Sequence, residues 1–296
     1  MTTLDFVAPT GWEDALAEKA ARPDLVPIAG GTDLMVELNA GRRRPAGLLD
    51  LTRVEGLAAW SRDGGVLRIG AAVPYARLVT ELAGVAPGLA AAARTVGSPQ
   101  IRNRGTVGGN LASASPAGDS HPPLLAAGAV VEVASVRGRR RIPVDEFFTG
   151  VKRSALAADE LIAAVELPVA PGPQEFAKVG TRNAMVIAVC SVAVGLDPVA
   201  GTVGTGLGSV APTPRRAPQA EAYLAAELAD RGLWESRGEL PEPVAVRFGE
   251  LVAAAAAPID DVRGTAPYRR HALAVLGRRV SSRAWRSYRS DREGAA

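Results

Sequence analysis

Apolar positions along the chain fall into short blocks separated by polar turns, and the pattern changes near residue 170. Thr10-Gly-Trp-Glu13 reads as a capping box ahead of Ala15, Leu16 and Ala20, which predicts a helix over 11–21. Leu25-Val-Pro-Ile28, Gly47–Leu51 and Val66–Ile69 have the length and apolar content of buried strands, the last opened by the turn Asp63-Gly64-Gly65. Leu34–Leu38 reads as a helix start, and helices follow over 74–83 and Leu89–Val96. Gly97–Asp119 has few large apolar residues and much Gly, Ser, Asn and Arg, so it reads as a loop system and not as core. Leu124–Ala127 is apolar again. Ala129–Val133 and Arg139–Ile142 form a hairpin around Arg137-Gly138, followed by a short helix over Pro143–Phe148 and a strand over Glu160–Leu167.

Pro168-Val-Ala-Pro171-Gly-Pro173 reads as a linker. Beyond it Phe176–Val179, Val186–Leu196 and Thr202–Val210 predict three antiparallel strands. Helices are expected over Ala217–Glu227, Glu250–Ala257 and 266–283. In the last of these Tyr268, Ala272, Val275, Leu276 and Val280 share one face. No internal repeat is visible.

With 296 residues the chain exceeds the roughly 100–200 typical of one domain, so two domains are expected. Hydrophobic residues at 47% and charged residues at 22% give enough apolar material for real cores and exclude global disorder. A lone Cys190 rules out an internal disulfide and an iron–sulfur cluster within this chain. It lies in an apolar strand, which predicts a buried structural thiol. His121 and His271 lack metal-ligand spacing. His121 is expected to pack against a loop or face solvent. The N-terminus lacks a basic segment leading into an apolar one, and no run reaches roughly 18 apolar residues, which predicts a cytoplasmic chain with no membrane span.

Two glycine-rich stretches carry the candidate chemistry. The first, Pro27-Ile28-Ala29-Gly30-Gly31-Thr32-Asp33-Leu34, joins a strand to a helix. Paired glycines there let backbone N–H groups approach a phosphate, and a plain turn capped by Thr32 or Asp33 is the alternative. The second, Arg102–Asp119, offers backbone amides, small hydroxyls, Asn110 and one carboxylate, a set suited to a diphosphate and polyols. Neither stretch is a Walker A or a GxGxxG motif. No nucleophile elbow and no Cys/His pair accompanies them, so binding loops stand without an acid, base or nucleophile. That points to a cofactor supplying the chemistry.

In these stretches the chain resembles the FAD-binding medium subunit of molybdenum hydroxylases such as xanthine dehydrogenase and carbon monoxide dehydrogenase. The resemblance rests on Ala29-Gly-Gly-Thr-Asp33, Arg102-Asn-Arg-Gly-Thr-Val-Gly-Gly-Asn110 and Ala114-Ser-Pro-Ala-Gly-Asp119. It extends through Phe147-Phe-Thr-Gly150, Glu160-Leu-Ile162, Phe176-Ala-Lys178 with Arg182 and Ala188, Asp261-Val-Arg-Gly264 and Tyr268-Arg-Arg270.

The resemblance implies an α+β fold. A flavin domain of the vanillyl-alcohol-oxidase type spans residues 1–169, in subdomains 1–57 and 58–169. A C-terminal domain with a three-stranded antiparallel sheet spans 174–285, and 286–296 form a tail. It places the Pro27–Leu34 backbone at the FAD diphosphate and Thr106, Gly109 and Asn110 at the phosphate–ribityl part. Ser113 and Asp119 match positions at the ribityl chain or ribose. Val96 and Gly97 fall beside the isoalloxazine ring, Ile162 at an apolar flavin contact and Lys178 near the ring. Some relatives carry an aromatic residue at the Val96 position, so valine leaves that flavin face less covered.

The resemblance further implies a large molybdopterin subunit, a small subunit with two 2Fe-2S clusters, and NAD+ or oxygen as acceptor, in a dimer of heterotrimers. A xanthine-dehydrogenase-like enzyme is slightly favoured over a carbon monoxide, aldehyde or N-heterocycle dehydrogenase. Bulkier residues at Gly30 or Gly109 are expected to remove flavin while the fold survives, and the single chain is expected to oxidise no purine or aldehyde. The competing readings are a flavin-free structural subunit and a nucleic-acid-binding module. The latter rests on arginines crowding the C-terminus, including Arg278, Arg279, Arg283, Arg286 and Arg289, without an aromatic stacking platform.

Overall fold

The computed structural model describes residues 4–290. The chain opens with β1 (Asp5–Val7), α1 (Trp12–Ala21), β2 (Val26–Ile28), α2 (Leu34–Asn39) and β3 (Gly47–Asp50). β1 and β2 flank β3 in parallel, with Phe6 and Val26 both opposite Leu48. The capping box does not form. Gly11, one residue later than Thr10, takes the N-cap position of α1 and no side chain caps it, so Thr10 sits outside the turn it would have closed.

The second unit contains β4 (Trp60–Asp63), β5 (Val66–Gly70), α3 (Tyr75–Glu81), α4 (Pro87–Arg94), α5 (Pro99–Arg104), α6 (Val107–Ser113) and α7 (His121–Ala126). It continues with β6 (Val130–Ser135), β7 (Gly138–Pro143), α8 (Val144–Phe147), β8 (Phe148–Gly150), β9 (Arg153–Ser154) and β10 (Leu161–Pro168). The sheet order is β4-β5-β10-β6-β7, all antiparallel. β10 is central, and Leu161–Val165 are all buried because this strand is covered on both faces. The β6–β7 turn is Val136-Arg137, one residue earlier than the sequence suggested, since Ser135 pairs with Gly138.

Gly97–Asp119 is not a bare loop. Ser98 and Thr106 cap α5 and α6 by accepting from the backbone amides of Ile101 and Gly109 at 3.4 and 3.0 Å. Val107 and Leu111 are wholly buried in the core shared by the two sheets. The glycines dilute the composition of this stretch but leave its caps and its two core anchors intact.

The C-terminal domain is a three-stranded antiparallel sheet, β11 (Gln174–Val179), β12 (Cys190–Asp197) and β13 (Thr202–Gly208), covered by helices. These are α9 (Pro218–Asp230), α10 (Leu233–Ser236), α11 (Glu242–Ala254) and α12 (Ala266–Ser290). β12 starts at Cys190, not Val186. Cys190 is buried, and burial pushes its thiol up to about 12. α11 begins eight residues before the expected start because Pro241 and Pro243 lie in its cap and first turn, where proline is tolerated. α12 runs through Ser290, so Arg286–Ser290 belong to a helix and not to a tail, while 291–296 lie outside the described residues. Ala284, Trp285 and Tyr288 extend its buried face past the arginines, whereas Tyr268 is 48% exposed and does not belong to that face.

The two domains meet where α7 lies across β12 and β13. A Cβ on Gly204 or Gly206 would come within 2.0 or 1.9 Å of the carbonyl oxygens of Ala126 and Pro122. Helix backbone therefore rests directly on sheet backbone, and α7 is held at a fixed height above the second domain.

Candidate functional site

The first glycine loop leaves β2 and enters α2. The N–H groups of Gly30, Gly31, Thr32, Asp33 and Leu34 have no protein acceptor among the described residues. Asp33 occupies the N-cap position, but its carboxylate makes no capping bond. Consecutive unpaired amides at a partly open surface are donors available to an anion.

The second stretch behaves differently. The amide of Gly105 donates to Ile101 O, that of Gly108 to Ala71 O, and that of Asn110 to Thr106 O, at 2.7, 3.0 and 3.0 Å. Gly109 donates to Thr106 Oγ1. These amides are thus already used: that of Gly105 closes α5, that of Gly108 ties the start of α6 to Ala71, and those of Gly109 and Asn110 form the first turn of α6. What α6 presents outward is Gly109, exposed, with only Thr106 Oγ1 near the direction of an added Cβ, at 3.1 Å.

The two stretches touch. A Cβ on Gly30 would lie 1.9 Å from Arg104 O. Gly30 is therefore glycine so that the end of α5 can press against the first loop, and its substitution cannot spare the local fold. Beneath this junction Tyr75 is buried, with its amide donating to Gly105 O at 2.9 Å. Its hydroxyl has no partner, and burial raises its pKa, with the charges of Asp119 and Asp33 adding to the rise. Tyr75 thus lies between the first loop and the end of the second.

Asp119 and Lys178 join the two domains at this end. The Lys178 ammonium donates to Asp119 Oδ2, Thr95 O and Val186 O at 2.6, 2.9 and 3.1 Å. All three of its protons are used, and both side chains are nearly buried. Burial pushes the Asp119 carboxyl up to about 6, against the downward pull of Lys178. Asp119 Oδ1 is buried without a partner. A buried acceptor lacking a donor and a run of donors lacking an acceptor are what a polyol- and diphosphate-bearing cofactor would complete, so the residues present fit the group.

Asn110 is held from three sides. Its Oδ1 accepts from Ser120 Oγ at 2.6 Å and its carbonyl from Ser113 Oγ at 2.8 Å. His121 Nε2 lies 3.2 Å from the same carbonyl, which can only accept, so Nε2 carries the hydrogen. The ring is fully buried and tilted against Phe148 at 4.5 Å. His121 therefore packs against a loop, and the solvent-facing alternative is wrong. Burial pushes its pKa down to about 4 from the ordinary 6.5. A folded pKa below the unfolded one gives stability that is complete above pH 6.5 and is lost as pH falls toward 4, a loss of about 3 kcal/mol. Denaturant melts across pH 7 to 4 should show a shallower loss for His121→Gln than for the wild type; identical slopes would remove His121 from this role.

Val96 and Gly97 follow α4, and their carbonyls accept from Arg102 Nη1 at 3.0 and 3.1 Å. Val96 is half-buried against the core. Ile162 sits in β10 beside a bulge and is 7% exposed, so it belongs chiefly to the core. The Asp261–Arg270 motif reaches the second stretch through Ser209, whose amide donates to Pro116 O at 2.7 Å. There the buried Arg269 guanidinium donates to Asp261 Oδ1 and Ser209 O at 2.5 and 2.6 Å, a clamp within the second domain. Reasoning from sequence missed Tyr75, Thr95 and Val186, because their contributions are carbonyls or one buried hydroxyl that no motif marks. Among the described residues no cluster of His, Cys, Asp and Glu could hold a metal, and no helix is long and apolar enough to cross a membrane.

Residues 2–170 match the family described as the FAD binding domain in molybdopterin dehydrogenase, and residues 175–284 match the CO dehydrogenase flavoprotein C-terminal domain. The chain is 34% identical over 289 residues to the nicotine 6-hydroxylase medium subunit of Paenarthrobacter nicotinovorans, covering 95% of this chain and 96% of that one. It is 31% identical over 282 residues to a putative xanthine dehydrogenase FAD-binding subunit of Escherichia coli K12, covering 92% of each. The solved quinoline 2-oxidoreductase of Pseudomonas putida 86 superposes with a TM-score of 0.87 at 27% identity, covering 97% of this chain and 98% of that one. The chain belongs to the FAD-binding medium subunits of the molybdopterin hydroxylases, and is an oxidoreductase subunit of that family.

Proposed function

We propose that this chain holds FAD between the first glycine loop and the α5–α6 stretch, and that it passes electrons from the iron–sulfur clusters of a small partner subunit to NAD+ or oxygen. A large partner with a molybdopterin centre would supply those electrons by hydroxylating the substrate, in a dimer of heterotrimers. The observation that carries the reading is the run of five unpartnered amides from Gly30 to Leu34. Among the described residues it is the longest unbroken run of such donors in either glycine stretch, so the Pro27–Leu34 backbone is assigned that moiety. Thr106, Gly109, Asn110 and Ser113 form the opposite wall, and Asp119 Oδ1 accepts a hydrogen bond from the cofactor. Val96 and Gly97 border the ring, with Ile162 supplying the apolar sheet end behind it. Lys178 acts by fixing Asp119, since its own protons are spent.

When bound, FAD supplies reversible two-electron chemistry. The chain's own residues bind and orient it, and none of them is placed as an acid, base or nucleophile. The hydroxylated substrate is read as an aromatic N-heterocycle, on the names of the nicotine and xanthine relatives. The purified single chain should not oxidise xanthine or nicotine with any acceptor, whereas the co-purified complex should bleach its flavin absorbance when its substrate is added. Turnover by the single chain would overturn the division of labour, and a complex whose flavin never bleaches would remove the relay.

A further inference from the structure

The second half of α12 walls a surface groove of about 470 Å³, closed on its other side by Glu239, Leu240 and the first turn of α11. Arg279, Arg283 and Arg286 follow one row of the helix and Arg278 and Arg289 the adjacent row, so all five arginines line the same concavity. Two carboxylates, Glu239 and Glu242, oppose them.

These two pairs are loose. Arg278 Nη1 lies 3.5 Å from Glu242 and Arg289 Nη1 3.8 Å from Glu239, and the glutamate side chains are 79% and 87% exposed. Exposed pairs at such separations contribute little and exchange readily. Arg283 is anchored from outside the groove by Glu175 at 3.1 Å. Arg279 and Arg286 have no carboxylate within 4.0 Å among the described residues. Among the described residues the groove thus keeps an unbalanced positive field, although the chain as a whole carries only a +3 formal charge. Trp285 lines its floor but is 3% exposed, so no aromatic face is offered for base stacking. The two glutamates on the rim would also repel a continuous phosphate backbone.

We propose that this groove docks a short Glu/Asp-rich segment of a partner polypeptide, which takes over the carboxylate positions now loosely held by Glu239 and Glu242. Guanidinium forks suit that exchange, because each can engage a carboxylate through two parallel bonds. The site lies on the second domain and does not depend on flavin occupancy, so its test is separable from the proposal above.

The test uses the full chain and a fluorescein-labelled ten-residue peptide of alternating Glu and Gly, with its Gln/Gly counterpart as the control, read by anisotropy at about 0.1 M salt. The Glu peptide should bind, and the doubly substituted Arg279→Gln/Arg286→Gln chain should bind it about tenfold more weakly. Glu239→Gln/Glu242→Gln should bind it about threefold more tightly, because the resident competitors are gone. All four side chains are exposed, so thermal melts should be unchanged and loss of binding cannot be ascribed to misfolding. Equal binding of the Gln peptide, indifference to the arginine substitutions, or tighter binding of a DNA duplex than of the Glu peptide would each overturn the proposal.

Discussion

Replacing Gly30 with alanine is expected to open the junction between the two glycine stretches and to abolish tight flavin binding. The added Cβ would stand 1.9 Å from Arg104 O, and the atom it meets is backbone, which cannot swing aside as a flexible side chain would. Relief requires the end of α5 to withdraw from the first loop. Overpacking of this kind costs about 1–3 kcal/mol. For a chain of this length that lowers the melting temperature by roughly 2–10 °C. The withdrawal also separates the free amides of Gly30–Leu34 from the wall that faces them. Gly109→Ala makes the contrasting case: its Cβ meets only Thr106 Oγ1, at 3.1 Å, and otherwise points into open space. It should melt like the wild type, and Gly109→Leu should fold and yet bind flavin poorly. A Gly30→Ala chain with unchanged melting and unchanged flavin affinity would show that the two stretches are not pressed together as described.

The second large effect is expected at Lys178. Replacing it with methionine leaves Asp119 buried with both carboxylate oxygens lacking a strong donor, and breaking a buried pair in this way costs about 3–5 kcal/mol. The pH dependence has a definite sign. Burial already holds the folded Asp119 pKa above its unfolded 3.8, at about 6, and removing the lysine takes away the group that pulls it down. A carboxyl with a raised folded pKa contributes stability that is complete below the unfolded value and is lost as pH rises through the folded one. The Lys178→Met defect should therefore be larger at pH 8 than at pH 4.5, and Asp119→Asn in the same chain should recover part of it at pH 8. Denaturant melts of the two variants at both pH values measure this directly. A defect independent of pH, with no recovery from Asp119→Asn, would mean that the pair is not the joint between the domains.

Much of the fold could be read from the residues because its strands are short, apolar and bounded by turns. The three strands after Pro173 and the hairpin ending in Ile142 follow from alternation and turn chemistry alone. β1 and β4 could not be read this way. Phe6 is 57% exposed, and Trp60-Ser-Arg-Asp63 is mainly polar, so neither has an inward face that a pattern would register. Reading Gly97–Asp119 as a loop failed for the opposite reason. Its glycines hid two capped helices, of which only α6 reaches the core, through Val107 and Leu111, while Ile101 of α5 stays 37% exposed.

At the site, the motifs marked where backbone comes close but not which amides remain free. That depended on a competition the sequence does not display: the glycine amides of the second stretch go to Ile101, Ala71 and Thr106, while the short α2 leaves those of the first unspent. The Lys178–Asp119 joint was visible only as two separate residues 59 positions apart, and its partners Thr95 and Val186 take part through carbonyls.

The central claim is that free backbone amides of the first loop hold a diphosphate. Its most direct measurement is a titration of the flavin-stripped full chain with FAD, FMN and riboflavin, followed by flavin fluorescence. FAD should bind with one equivalent per chain and at least about tenfold more tightly than FMN, because only FAD carries the diphosphate those amides would accept. Equal affinity for all three, or retention of FAD by a Gly30→Ala chain as tightly as by the wild type, would contradict it.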